Sequence, residues 1–196
     1  MEPVIEVKGL KKYFSTPRGM LHAVDDVTLS IERGKTLGVV GESGCGKSTL
    51  GRTIIHLLES TGGQIFLEGK DITHLKGKEL KAARERMQII FQDPYSSLDP
   101  RKTIEATIRE PLQVSRRYKK SEIDNATEEL VEFVGIDKHL RNAYPHELDG
   151  GRRQRVGIAR ALALNPAFVV CDEPVSALDV SIQAQVLNLL KKLQQQ

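Results

Sequence analysis

The pattern G-x-x-x-x-G-K-[S/T] is matched at every fixed position by Gly41-Glu42-Ser43-Gly44-Cys45-Gly46-Lys47-Ser48-Thr49. An apolar run, residues 36–40, precedes it, and apolar residues at helical spacing follow it through Leu58. The sequence therefore predicts a strand, a glycine-rich turn and a helix. Such a turn aims backbone N–H groups and the positive end of a helix at a polyphosphate, where Lys47 would reach the β- and γ-phosphates and Ser48 would bind the bridging Mg²⁺. The alternative is a chance glycine-rich turn, which the flanking strand and helix disfavour.

Composition predicts a soluble globular domain. The chain has 196 residues, 28% of them charged and 39% hydrophobic, with a net charge of +3 that neither demands nor excludes an anionic partner. No apolar run approaches the ~20 residues needed to span a bilayer, and the acidic N-terminus is not a secretory signal. Cys45 and Cys171 are too few for a disulfide framework or a metal cluster. We expect two free thiols in a reducing cytosol.

The N-terminal part of the chain alternates apolar and polar residues, over 4–7 and again over 23–31. This period predicts an antiparallel β layer. Tyr13 lies between the two runs, where an aromatic ring belongs either to the core or to a base-stacking site. Residues 62–70 predict a turn and a strand, and residues 87–91 a buried strand. Between them, the basic segment 76–86 predicts a solvated helix face rather than a nucleic-acid site, because no aromatics are interleaved.

The second half of the chain is dominated by helical patterns. A helix is predicted to open at Ser121 and to stop at Gly135. Such a helical block, over residues 103–145, between strands predicts an inserted helical subdomain. Asp149 is the expected N-cap of the next helix, and apolar residues at helical spacing over 182–193 predict a final amphipathic helix.

Two carboxylates, Asp172 and Glu173, follow the apolar run 167–171. An aspartate at the end of an apolar strand, downstream of a phosphate-binding turn, is placed to hold Mg²⁺, while the neighbouring glutamate polarises an attacking water. The alternative is a pair of acidic residues that merely cap a strand.

With both nucleotide motifs placed, the sequence resembles the ATP-binding subunits of ABC transporters, from about Val4 to the last residue. The resemblance implies an α/β fold: a P-loop NTPase (RecA-like) core with an N-terminal antiparallel β layer and an inserted α-helical subdomain. It implies a single ABC ATPase domain over residues 1–196. The core and β layer would occupy residues 1–95 and 160–196, and the helical subdomain about 96–159.

The resemblance also implies roles for individual residues, with ATP and Mg²⁺ as the ligands. Residues 41–49 correspond to Walker A and residues 168–172 to Walker B, and Tyr13 corresponds to the aromatic that stacks on adenine. The implied catalytic residues are Gln92 and Glu173, and the implied magnesium ligands are Ser48, Gln92 and Asp172. The D-loop corresponds to Ser176, Ala177, Leu178 and Asp179.

Residues 91–101 and 175–183 further resemble the oligopeptide/dipeptide (and nickel) importer branch of the family. The implied function is an ATP-hydrolysing subunit that energises import of peptides or a related solute, peripheral at the cytoplasmic face of the membrane. The implied partners are a second ABC ATPase subunit, identical or different, and transmembrane permease subunits. An external solute-binding protein would act indirectly, and no nucleic acid is expected.

In this family each ATP lies between Walker A of one subunit and the signature L-S-G-G-Q of the other. The corresponding signature segment here is Leu148-Asp149-Gly150-Gly151-Arg152, in which aspartate replaces the serine and arginine replaces the glutamine. Two like unit charges ~4 Å apart repel by ~4 kcal/mol at an effective dielectric constant of about 20. A carboxylate that faces a γ-phosphate would therefore oppose closure unless Arg152 or a proton compensates, and we predict a weakened site at this segment.

No histidine follows Asp179, although the family has a switch histidine on the next strand. We expect a chain truncated before that strand, with very low turnover. The alternative function is a nucleotide-gated binding module, or a degenerate ABC half, that binds Mg·ATP and hydrolyses it poorly.

Overall fold

A computed structural model describes residues 3–176 and 178–194, which fall into two compact units divided between Met87 and Gln88. The first unit holds an antiparallel sheet and two helices, and the second holds most of the helical residues. No helix within the described ranges is both long and apolar enough to cross a membrane. The assignment of residues 1–196 to one ABC ATPase domain, with a helical subdomain at about 96–159, stays a prediction.

The sheet of the first unit has four strands in the order β2-β1-β3-β4. They are β1 (Pro3–Thr16), β2 (Gly19–Glu32), β3 (Gly62–Leu67) and β4 (Lys70–Asp71). All three pairings are antiparallel. Ile5, Val7 and Ile65 are fully buried, since alternate residues of a strand point to one face. The antiparallel β layer predicted from the alternating pattern is confirmed.

The first unit also contains α1 (Lys47–Ile54) and α2 (Gly77–Arg86). The helical spacing in the sequence predicts a longer α1, through Leu58, and that prediction is wrong. His56 adopts a left-handed backbone conformation, with φ of +59°, which ends the helical hydrogen bonding. Leu57 beyond it is exposed.

The strand predicted over residues 36–40 is a second error. Within the described part of the chain neither sheet includes this segment, and Val40 is 97% exposed. Strands exist through hydrogen bonds to a neighbouring strand rather than through apolar composition alone. Gly38 within the run lowers its intrinsic strand preference further.

The strands β5 (Met87–Ile90), which begins at the last residue of the first unit, and β6 (Phe168–Cys171) pair with one another, and the second unit combines them with four helices. The helices are α3 (Ile104–Ser115), α4 (Lys120–Phe133), α5 (Gly150–Leu162) and α6 (Val180–Gln194), accompanied by 3₁₀ turns at Lys138–Leu140 and Pro145–Glu147. Their core contains the fully buried side chains of Ile108, Val134, Ile158 and Val186. The strands predicted at 87–91 and 167–171 and the amphipathic last helix are confirmed.

In the second unit, two predicted helix boundaries follow local signals and a third does not. Gly135, at φ of +67°, terminates α4 as predicted, and Asp149 is the N-cap of α5 as predicted. The predicted start of α4 at Ser121 is wrong, because the helix begins at Lys120. Glu122 accepts a hydrogen bond from the backbone N of Lys119 at 2.6 Å, so the glutamate stabilises the first turn in place of the serine.

Candidate functional site

The phosphate loop, residues 41–49, depends sterically on its glycines. Gly44 and Gly46 have φ of +80° and +98°, which L side chains rarely adopt. A Cβ added to Gly46 would lie 2.1 Å from the carbonyl oxygen of Ala23, and one added to Gly41 would lie 2.6 Å from Cys45 Sγ. The glycine pattern found in the sequence is therefore required by the close approach of neighbouring atoms.

The side chain of Lys47 folds back onto this loop and is hydrogen-bonded to it. Its Nζ donates to the carbonyl oxygens of Gly41 and Glu42, at 2.8 Å each. The helix α1 begins at the same residue, with Leu50 N donating to Gly46 O at 2.8 Å. The residues from Gly41 to Cys45 are exposed. An exposed loop with an ammonium group and a helix start at its base has the charge and the donors that suit a polyphosphate.

Tyr13 lies on β1 with one ring face covered by a neighbouring side chain. Its ring stacks on that of His22, with centroids 3.9 Å apart and planes inclined by 13°. Tyr13 Oη donates to Asp25 Oδ1. This hydrogen bond raises the pKa of Tyr13 and lowers the pKa of Asp25. Sequence analysis missed His22 and Asp25, and recognition of the β1–β2 hairpin register, which pairs Tyr13 with His22, would have found the first.

Gln92 and Glu173 lie together, as the resemblance implies. Gln92 Nε2 donates to Glu173 Oε2 at 3.0 Å and to Ser176 Oγ at 3.2 Å. Ser176 Oγ in turn donates to the carbonyl oxygen of Glu173 at 3.1 Å. We call these three residues the glutamine cluster. Ser176 received only a D-loop assignment from the sequence, and no local signal announces its contact with Gln92.

Asp172 directly follows β6 and is 6% exposed. Its backbone N donates to Ile90 O at 2.9 Å. The pairing of β6 with β5 therefore fixes the backbone position from which the Asp172 side chain extends. The next residue, Glu173, has a φ of +46°, which is unusual for a residue with a side chain. The backbone therefore changes direction between the two residues that carry the predicted carboxylates.

The signature segment forms the start of α5. Asp149 Oδ1 accepts from the backbone N of Arg152 at 2.8 Å, and Asp149 Oδ2 accepts from Arg152 Nη1 at 2.9 Å. Leu148 is buried. A Cβ on Gly150 would lie 3.3 Å from Leu178 Cδ2, and one on Gly151 would lie 2.5 Å from Ile182 Cγ2. The two glycines thus allow the start of α5 to approach both Leu178, just before α6, and Ile182, within the first turn of α6.

Two residues of the predicted D-loop, Leu178 and Asp179, lead into α6. Leu178 N donates to Val175 O at 3.1 Å, and Asp179 O accepts from the backbone N atoms of Ile182 and Gln183 at 2.9 Å each. Ala177, the remaining residue of the predicted D-loop, lies outside the described residues. The roles predicted for the individual site residues stay predictions.

The profile of the protein family described as "ABC transporter" matches residues 24–176. The chain belongs to the ABC transporter family. Its similar relatives include the oligopeptide transport ATP-binding protein OppF of Bacillus subtilis (strain 168), which is 53% identical over 197 residues. The oligopeptide transport ATP-binding protein AppF of the same organism is 49% identical over 203 residues. Both alignments cover the whole of this chain, which spans 65% of OppF and 62% of AppF.

Solved ABC cassettes share the fold. A dimeric post-hydrolysis state of the ATP-binding cassette MJ0796, bound to ADP and Pi, gives a TM-score of 0.87 at 30% identity and covers 97% of this chain and 82% of that one. The cassette cbiO1 from Clostridium perfringens gives a TM-score of 0.85 at 27% identity, over 100% of this chain and 75% of the other. The ABC ATPase fold predicted from the sequence, an α/β P-loop NTPase core with an antiparallel β layer and a helical subdomain, is confirmed.

Proposed function

We propose that this ABC family member binds and hydrolyses ATP and thereby energises import of peptides or a related solute. The observation that carries the proposal is the geometry of the phosphate loop, in which Lys47 Nζ is held 2.8 Å from two loop carbonyl oxygens. A lysine fixed in this way presents its charge to the β- and γ-phosphates without first being ordered. The names of the relatives OppF and AppF, both oligopeptide transport ATP-binding proteins, support a peptide solute.

The residues proposed to bind Mg²⁺ suit that ion chemically. Ser48, Gln92 and Asp172 offer a hydroxyl, an amide oxygen and a carboxylate, and hard oxygen ligands are what Mg²⁺ prefers. Gln92 donates to Glu173 and Ser176 through its amide nitrogen, so its amide oxygen is the atom that would bind the cation. When bound, Mg²⁺ neutralises charge on the phosphates.

Glu173 is the proposed general base. Its carboxylate accepts a hydrogen bond from Gln92, which fixes the orientation in which it could accept a proton from water. Tyr13 is proposed to stack on adenine, and the D-loop and signature segment are proposed to act across a dimer of ATPase subunits. Permease subunits, a peripheral position at the cytoplasmic face of the membrane and an indirect link to a solute-binding protein complete the proposal.

Nucleotide affinity tests the first part of this proposal. Isothermal titration of Mg·ATP into Lys47→Ala should show binding weakened by about 10- to 100-fold, since a hydrogen bond to a charged group contributes about 1.5–3 kcal/mol. Lys35→Ala, in the exposed turn after β2, is the control and should bind as the unchanged protein does. Equal affinities of the two variants would refute the phosphate-loop assignment.

Hydrolysis is tested separately, in single-turnover experiments with and without a partner ABC ATPase subunit. Glu173→Gln should bind Mg·ATP with unchanged affinity and lose hydrolysis, whereas Glu129→Gln on the exposed face of α4 should retain it. Hydrolysis by Glu173→Gln at the unchanged rate would overturn the assignment of the base. Co-purification with permease subunits from solubilised membranes, rather than with nucleic acid, tests the transport role.

A second candidate function is a nucleotide-gated module that binds Mg·ATP and hydrolyses it poorly. The specific observation in its favour is the signature segment, where Asp149 and Arg152 replace the serine and glutamine of L-S-G-G-Q. The same single-turnover experiment discriminates between the two. A rate that stays negligible even with a partner subunit, together with intact ATP affinity, would favour the module.

A further inference from the structure

The strand register of the first unit places two rings directly opposite each other. Tyr13 on β1 pairs with His22 on β2, and a register shift lies between Lys12 and Tyr13. Opposite residues of an antiparallel pair have side chains close enough to touch. Here the touch is a parallel stack, with the ring centroids 3.9 Å apart. One face of the Tyr13 ring is therefore already occupied by the imidazole of His22.

A single carboxylate holds both rings from the side. Tyr13 Oη donates to Asp25 Oδ1, and His22 Nδ1 lies 3.4 Å from Asp25 Oδ2. The backbone of Tyr13 is tied from another direction, because its N donates to Thr61 Oγ1 at 3.1 Å. Tyr13 is thus fixed at its backbone, at its hydroxyl and across one ring face.

These contacts hold Tyr13 at a partly solvent-exposed site. A side chain with a purely structural role is not expected to be held so firmly there. His22 and Asp25 are about half exposed, at 51% and 52% of their side-chain surface, and Tyr13 is only partly buried. Exposed aromatic side chains ordinarily keep rotamer freedom, which a ligand must remove when it stacks on them. Here the protein has already removed it.

We propose that His22 and Asp25 are positioning residues for nucleotide-base binding, which fix the Tyr13 ring so that its second face receives the base. The base then stacks on a ring that the imidazole supports from behind, and the ordering cost is met before the nucleotide arrives. This inference rests on the proposed function, in which Tyr13 stacks on adenine. It adds that the affinity for the base, and not for the phosphates, depends on His22 and Asp25.

The test compares two ligands that share the phosphates and differ in the base. ATP and inorganic triphosphate are titrated, each with Mg²⁺, into the unchanged chain and into His22→Ala. Loss of the support should weaken ATP binding by about three- to tenfold and leave inorganic triphosphate binding unchanged. His139→Ala, at an exposed histidine of the 3₁₀ turn Lys138–Leu140, is the matched control and should change neither.

Conservative variants separate positioning from general damage to the hairpin. His22→Phe keeps a ring behind Tyr13 and should restore most of the ATP affinity, and Tyr13→Phe should lose part of it because only the bond to Asp25 is removed. Asp25→Ala should resemble His22→Ala. In the Tyr13→Ala background the His22→Ala change should have no further effect, because a positioning residue acts only through the ring that it positions.

The outcomes divide cleanly. If the unchanged chain binds neither ATP nor inorganic triphosphate, the proposed function fails. If both bind, and His22→Ala weakens both equally or neither, the inference fails while the proposed function stands. Additive effects of His22→Ala and Tyr13→Ala would also overturn the inference, because they would show that His22 acts independently of the ring.

Discussion

Arg152 contacts Asp149 twice at the start of α5, through its backbone N at 2.8 Å from Oδ1 and through Nη1 at 2.9 Å from Oδ2. The carboxylate that replaces the signature serine is therefore paired with the guanidinium that replaces the signature glutamine. Both side chains are about half exposed, so the pair itself contributes little stability, about 0.2–1 kcal/mol. If this segment faces a γ-phosphate across a dimer, as proposed, the guanidinium would offset the charge of the carboxylate.

The ion pair predicts that substitutions of Asp149 and Arg152 have strongly non-additive effects on ATP-dependent dimerisation. Arg152→Gln leaves Asp149 uncompensated and should weaken ATP-dependent dimerisation most, because like charges ~4 Å apart repel by ~4 kcal/mol at an effective dielectric constant of about 20. Asp149→Ser alone frees the guanidinium, and the double variant rebuilds L-S-G-G-Q and should dimerise at least as well as the unchanged chain. Sedimentation with ATP, in a Glu173→Gln background, measures the dimerisation constants of the two single variants and the double variant against that of the background alone.

The control for this cycle is the unfolding free energy of each variant, which serine at position 149 should preserve because serine and aspartate cap helices about equally well. If the change in dimerisation free energy of the double variant equals the sum of the changes in the two single variants, Arg152 does not compensate the charge of Asp149 and the electrostatic account is wrong.

Gly151 should tolerate no side chain. A Cβ there would lie 2.5 Å from Ile182 Cγ2, and the β-branched isoleucine has little rotamer freedom with which to yield. A Cβ added to Gly157, in the same helix, would meet no atom within 4 Å beyond the neighbouring backbone of α5 itself. Gly157→Ala should therefore raise the free energy of unfolding by about 0.5–1 kcal/mol through helix propensity. The free energy of unfolding of Gly151→Ala should be about 1–3 kcal/mol lower than that of Gly157→Ala because of overpacking. Urea denaturation measures both. Equal stabilities would contradict the close contact.

Ser176 should influence hydrolysis through Gln92. Its hydroxyl accepts from Gln92 Nε2 and donates to Glu173 O, at 3.2 and 3.1 Å. Ser176→Ala removes the hydroxyl's hydrogen bonds to Gln92 and to Glu173, and a net hydrogen bond is worth about 0.5–1.5 kcal/mol. Single-turnover hydrolysis should therefore slow about two- to tenfold, while Mg·ATP affinity stays constant. Ser115→Ala at the end of α3, whose hydroxyl donates to Leu112 O, is the control. An unchanged rate for Ser176→Ala would show that the glutamine cluster does not position the base.

Glu68 should make the stability of the first unit depend on pH. It forms a two-point ion pair with Arg86, at 2.8 Å from both Nε and Nη2, and a further ion pair with Arg33. These arginines, Arg86 foremost, lower the pKa of Glu68 from its ordinary value of 4.5. A lowered pKa gives stability that is present above about pH 4.5 and is lost as the pH falls through the native value.

The free energy of unfolding should accordingly be about 0.5–1 kcal/mol lower for Glu68→Gln than for the unchanged chain at pH 7, a partly exposed pair being worth no more. The gap should narrow below pH 4.5, in urea titrations at successive pH values. Glu129→Gln is the reference and should show no such gap. A difference that is constant with pH would mean that the glutamate acts through packing rather than charge.

Local patterns account for most of what the sequence predicts correctly. The phosphate loop, the alternating strands β1 and β2, the stop at Gly135 and the cap at Asp149 each depend on a few consecutive residues, whose chemistry dictates the backbone. The errors occur where distant atoms decide. Residues 36–40 have the composition of a strand, but strand pairing is a property of neighbours, and α1 ends early because His56 adopts a left-handed conformation.

Side-chain contacts within the site were the least predictable. The family resemblance named Gln92 and Glu173, but only the fold shows that Gln92, far away in the sequence, contacts both Glu173 and Ser176. His22 behind Tyr13 depends on the register of the hairpin, which changes by a residue at Lys12. A shift of one position would send the imidazole to the opposite face of the sheet, and no local motif records which register is chosen.

The missing side chain of Gly151 has a mechanical meaning as well. With no room between the first turn of α5 and Ile182, the two cannot approach further, and any displacement of the start of α6 toward α5 must push the signature segment with it. Asp149 and Arg152, at the start of α5, are thus linked sterically to the start of α6, a helix that follows Glu173 in the sequence. We therefore expect a smaller residue at position 182 to loosen the steric link between the start of α5, which carries Asp149 and Arg152, and the start of α6.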